Sequence, residues 1–165
     1  MFSITATNLH WLEGANEAED LCLHGHAMVM IGDERFEYDA TVSSTALYLL
    51  KSLTEDHTIS EGNQMLPCCG FCMMANDTNS NVDILGCPNG IDWSVFHEGE
   101  SVVLITEAGN KTNVPLNEYR QTVFEFVDEI EAFYKNSTEK TLPTDELDRN
   151  GYLAFWNEWK ARRQA

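Results

Sequence analysis

PLNEYRQTVFEFVDEIEAFYK, residues 115–135, decides the fold class. Leu116, Tyr119, Val123, Val127, Ile130 and Tyr134 recur at spacings of three and four, so they line one face of a helix. Glu118, Glu125, Asp128, Glu129 and Glu131 fill the other faces. Pro115 suits a first helical position, where its missing N–H has no intrahelical partner to lose. Lys135 complements the negative end of the helix dipole. A helix with one apolar stripe must bury that stripe, and the residues before it supply a sheet to bury it on.

Upstream, residues 2–12 (FSITATNLHWL) read as a first strand. Residues 21–31 (LCLHGHAMVMI) and 36–42 (FEYDATV) alternate around Gly32-Asp33, the pattern of a β-hairpin. A short helix follows, with Ser43 or Ser44 as its cap and Ala46, Leu47, Leu50 and Leu53 on one face. Residues 54–63 are a polar loop. Residues 64–74 (QMLPCCGFCMM) form a strand weakened by Pro67 and Gly70, and 82–86 form another. Asn89-Gly90 reads as a tight turn into 91–97, where Ile91, Trp93, Val95 and His97 alternate with Asp92, Ser94 and Phe96. Gly99 and Gly109-Asn110 bracket a further strand at 101–106.

Downstream, residues 145–163 give a last helix. Asp145 caps it, Leu147, Phe155, Trp156 and Trp159 anchor it, and Arg162-Arg163 suit its C-terminal end. Gly151 weakens its middle. The aromatic set Tyr152, Phe155, Trp156 and Trp159 reads as a buried stripe in preference to a docking face. Strands first and helices last give an α+β fold. The expectation is a mostly antiparallel sheet of about five to seven strands, a short helix after the first strands and two C-terminal helices packed on the sheet. The 165 residues suit one domain, 1–165.

Hydrophobic residues make up 43% of the chain, too many for a disordered segment despite the charge. The first twenty residues show no basic start and no long apolar run, so they read as neither signal peptide nor anchor. Five cysteines (Cys22, Cys68, Cys69, Cys72, Cys87) without an export signal argue for reduced thiols and a cytoplasmic setting.

Charge is the dominant signal. Acids number 27 and Lys plus Arg 10, a net of −17. Residues 1–110 hold 17 of the acids against only Arg35 and Lys51. Such a field repels nucleic acid and anionic membranes and attracts basic proteins. The plainer reading is solubility alone.

Cys69-Gly70-Phe71-Cys72 is a C-x-x-C. It can carry a redox disulfide or half a zinc site, with Cys87 and Cys68 as candidates for the two further ligands, though no second C-x-x-C is present. The residues after Cys72 do not read as the helix a redox dithiol needs. The preferred reading is that these thiols fill a strand as small hydrophobes. On a strand at 21–31, Cys22, His24 and His26 share a face and could hold a transition metal, or simply form a polar outer row. His57 and His97 stand alone in the sequence, and a Cys22–His97 nucleophile pair has no third group to orient it. The chain has no phosphate-binding loop, nucleophile elbow or helical zinc-protease motif.

The segments DLCLHGH (20–26), LPCCGF (66–71), CPNGIDWSVFH (87–97) and FVDEIEAFYKNS (126–137) with LDRNGYLAFWNEW (147–159) together resemble small acidic bacterial proteins of unknown function. In size and acidity the chain is similar to immunity proteins that neutralise toxins. That resemblance implies a non-enzymatic protein that occludes a basic partner, such as a toxin nuclease, by charge complementarity. The expected partner-binding carboxylates are Asp33, Glu34, Glu37, Asp39, Glu98 and Glu100, with no cofactor. The alternative is a thiol- or zinc-dependent domain or enzyme using Cys69, Cys72 and Cys87, with His24 and His26.

Overall fold

The computed structural model describes residues 1–60 and 62–165; Glu61, inside the polar loop expected over 54–63, lies outside the described residues. Strands β1 (Phe2–His10), β2 (His24–Ile31) and β3 (Glu34–Ala40) form an antiparallel meander. Its register pairs Ile4 with Val29 and Val29 with Phe36, so one face points inward. The outer face carries the cross-strand rows Thr5–Met28–Glu37 and Thr7–His26–Asp39. Gly32, with φ +62°, makes the β2–β3 turn as the sequence suggested.

Helix α1 (Val42–Lys51) follows, buried from Val42 to Leu50. Neither Ser43 nor Ser44 caps it. Thr41 holds the cap position, and Ser43 turns inward to accept a hydrogen bond from Leu23 N at 3.1 Å. A helix buried all round has no solvent end to cap, and its first-turn hydroxyls are used for packing instead.

The stretch expected as one strand over 64–74 is two, β4 (Leu66–Pro67) and β5 (Cys72–Ala75), separated at the Cys68–Phe71 turn. Pro67 donates nothing to a ladder, so pairing stops there. β5 pairs with β6 (Val82–Leu85), and β4 pairs with β7 (Gly90–Ile91). Asn89-Gly90 is therefore no hairpin turn. A Cβ on Gly90 would lie 2.5 Å from Leu66 O, so glycine is there to let two backbones touch.

β8 (Trp93–Glu98), β9 (Ser101–Thr106) and β10 (Lys111–Pro115) make a second antiparallel meander. β10 was invisible in the sequence because KTNVP has one apolar residue that packs, Val114. The strands thus divide among four antiparallel sheets, two of three strands and two of two.

Helix α2 (Leu116–Asn136) lies on α1 and β1, burying Tyr119, Val123, Phe126, Val127 and Ile130. Helix α3 (Glu146–Gln164) lies on β5, β6 and α1. Asp145 caps α3, accepting from Leu147 N and Asp148 N. Phe155 and Trp159 are buried as expected and Trp156 partly so, but Leu147, on the first turn of α3, is 79% exposed. Gly151 is not a weak point. A Cβ there would sit 2.0 Å from Met73 O, so the glycine is where α3 crosses β5.

Candidate functional site

Apolar groups left in water mark the surface to look at. A groove of about 650 Å³ opens between the 12–24 segment, the Cys69–Met73 turn and the 141–148 segment. Phe71 (76% exposed), Leu12 and Leu142 stand on its lips. Leu147 stands close by, one position past Glu146 on the first turn of α3. Phe71 lies in the short connection between β4 and β5, and Leu142 in the connection between α2 and α3.

Carboxylates surround those lips: Glu19, Asp20, Asp145 and Asp148. Asp20 braces the groove wall, accepting from Leu12 N at 2.7 Å and Cys22 N at 3.3 Å. Two cations lie near, and both are occupied. Lys140 sits 3.2 Å over the Trp11 ring, and Arg149 donates to Pro143 O and Thr144 O. In the groove wall, burial pushes the Cys22 thiol up to about 12, with Asp20 adding to the effect, so this thiol is held protonated.

The six carboxylates expected to bind a partner fall in two places. Asp33, Glu37 and Asp39 lie along the β2–β3 hairpin, while Glu98 and Glu100 flank the β8–β9 turn. Glu34 joins the first group but is tied down: it accepts from Thr106 Oγ1 (2.8 Å) and Asn110 Nδ2 (2.9 Å) at the far end of β9. β9 spans about 17 Å at ~3.3 Å per residue, which sets Glu34 at its Thr106 end apart from Glu100 beside its Ser101 end. Glu37 contacts Arg35, and Asp39 accepts from His26 Nδ1 at 2.7 Å. Of the ten cations only Arg35 and Lys111 lie on strands, so the sheet side is poor in positive charge.

The cysteine set also differs from expectation. Cys68 and Cys87, expected as free thiols, are joined as a disulfide, because the β4–β7 pairing carries both to one end and Cys68 N reaches Asn89 O. Cys69 lies beside them: one sulfur from each of Cys68, Cys69 and Cys87 falls within 4.8 Å of the others. Cys72, on β5, is outside this group, and so are His24 and His26. Cys22 precedes β2, so it does not extend the His24–His26 row, and His26 is held by Asp39. Burial holds His24 below its ordinary value, the pull of Asp20 opposing.

Two histidines that looked solitary have carboxylate partners. His57 Nε2 donates to Asp92 Oδ1 at 2.8 Å, and His97 Nδ1 to Asp56 Oδ1 at 2.8 Å. Asp92 also takes Trp93 N, Met65 N and Ser60 N, so one buried carboxylate ties His57, Ser60 and Met65 to the start of β8. His57 borders a cleft of about 610 Å³. The four hydrogen bonds gathered on Asp92 make the pair a structural clasp. The strand alternation placed Asp92 and Ser94 outside, and only the covering loop makes them buried.

Comparison with protein families, curated proteins and solved structures finds no match for this chain. Among the described residues no helix is long and apolar enough to cross a membrane.

Proposed function

We propose that this protein is a non-enzymatic, acidic binding protein of the immunity type, acting in the cytoplasm. It covers a basic partner, such as the phosphate-binding cleft of a toxin nuclease, and excludes the substrate by taking its place. The observation that carries this reading is the groove, where Phe71, Leu12 and Leu142 stand exposed within a ring of carboxylates. An apolar centre with a charged rim is the anatomy of a specific protein interface. A rim of one sign selects a partner of the other.

In this reading the carboxylates split their work. Glu19, Asp20, Asp145 and Asp148 meet the partner. Asp33, Glu34, Glu37, Asp39, Glu98 and Glu100 supply the field that speeds its approach.

The test uses two synthetic peptides of equal charge, one alternating Lys with Leu and one alternating Lys with Ser. Backbone amide shifts are followed as each is added to the full chain. Groove binding moves residues 12, 19–24, 69–73 and 141–148 with the Lys–Leu peptide, and Phe71→Ser weakens it about tenfold or more. Equal binding of both peptides, or shifts spread over all faces, overturns the assignment of the groove.

A further inference from the structure

We propose that Cys68, Cys69 and Cys87 form a zinc site when the Cys68–Cys87 bond is reduced. This inference is independent of the binding reading above. It differs from the ligand set suggested by the sequence, because Cys68 replaces Cys72.

The first argument is geometric. Zinc bonded to sulfur at ~2.3 Å in tetrahedral angles holds its sulfurs about 3.8 Å apart. The three sulfurs here lie within 4.8 Å of one another, so once the Cys68–Cys87 bond is reduced those two need only part to that spacing, with the Cys69 sulfur already beside them. A disulfide needs two sulfurs and leaves the third unexplained. The Cα atoms of Cys68 and Cys87 are 6.9 Å apart, just beyond the roughly 4.4–6.8 Å that a direct bond usually spans.

The second argument is the surrounding backbone. Cys87 N donates to Cys69 Sγ at 3.3 Å. An N–H aimed at sulfur stabilises a thiolate over a thiol, as the outer shell of a metal site does. The two loops bearing the ligands are fastened to each other by the Leu66–Ile91 pair of β4 and β7 and by Cys68 N to Asn89 O. The ligands are thus held together by the fold whether or not they are bonded.

The third argument is charge. Between Lys51 and Lys111 the chain has no Lys or Arg, so no cation of this segment competes with a divalent ion.

The chemistry balances simply. A dithiol reductant supplies two electrons and two protons to the Cys68–Cys87 bond and is itself oxidised to a disulfide. Zinc then displaces three protons from the three thiols and holds the thiolates. Soft thiolate ligands select zinc over calcium or magnesium. The fourth position is left for water or for a ligand brought by a partner.

The experiment measures metal in the full chain, purified with a thiol reductant and without chelator. The expected result is one zinc per chain. Cobalt substituted for it should give thiolate-to-metal charge-transfer absorption of the strength of three thiolates, with the visible bands of a tetrahedral ion. Cys69→Ser and Cys87→Ser lose the ion, while Cys72→Ser and Cys22→Ser keep it. Should the ligand variants not fold, the cobalt spectrum of the unaltered chain decides by its thiolate count. No bound zinc in the reduced protein, or binding that Cys72→Ser abolishes, overturns the proposal.

Discussion

At the residue scale the most consequential side chain is Asp92. It accepts four hydrogen bonds while 3% exposed, three of them from backbone N–H groups of two separate segments. Replacing it with Asn turns one acceptor into a donor facing an N–H. The stranded buried donors cost roughly 2–4 kcal/mol, which urea unfolding would measure. A loss below about 0.5 kcal/mol would show that the loop does not depend on this carboxylate. His24 gives a second expectation. Burial lowers its affinity for a proton in the folded chain, Asp20 opposing and His10 assisting. The unfolded chain then binds the proton more readily, so His24 favours folding fully above its ordinary 6.5. That contribution is lost as pH falls from there through the lowered value. Its ring resonances in an NMR titration should have a midpoint below 6.5, and a midpoint above it contradicts the burial argument.

At the element scale, the crossing of α3 over β5 separates two effects of opposite sign. In an exposed helix, Gly→Ala stabilises by about 1 kcal/mol. At Gly151 the added Cβ meets Met73 O at 2.0 Å, and backbone must move. Overpacking of this kind costs about 1–3 kcal/mol or more, so Gly151→Ala should lower the melting temperature, not raise it. A stabilised variant would mean that α3 does not press on β5 as closely as described. The same crossing shows how legible the elements were. Helix α2 announced itself because its apolar residues keep one period for six turns. β9 was equally plain as SVVLIT between two glycines. β10 was hidden because its polar residues are held by β9's ladder and not by their own packing. The site was less legible still. The groove depends on which apolar residues fail to find cover, and Phe71 looks no different in sequence from Phe126, which is buried. The Cys68–Cys69–Cys87 group depends on β4 pairing with β7 across more than twenty residues, which no local spacing encodes.

At the scale of the whole molecule, charge is the organising quantity, and its arrangement matters more than its sum. The helices carry most of the cations, and several neutralise nearby acids: Arg162 binds Glu158 and Glu55, and Arg163 binds Asp128. Buried Glu158, 2% exposed, is thereby structural: it accepts from Val82 N and Arg162 and lies near Lys51. Among the described residues, Glu98 and Glu100 on the sheet side and Glu19 and Asp148 at the groove have no such partner. A Debye length of about 8 Å at physiological salt limits the reach of this field, and added salt shortens it further. The direct test is therefore kinetic. Stopped-flow association of the full chain with the Lys–Leu peptide should slow about tenfold or more as salt rises from 0.05 to 0.5 M, the dissociation rate changing far less. An association rate that does not change with salt would contradict the claim that this protein recruits a basic partner through its field.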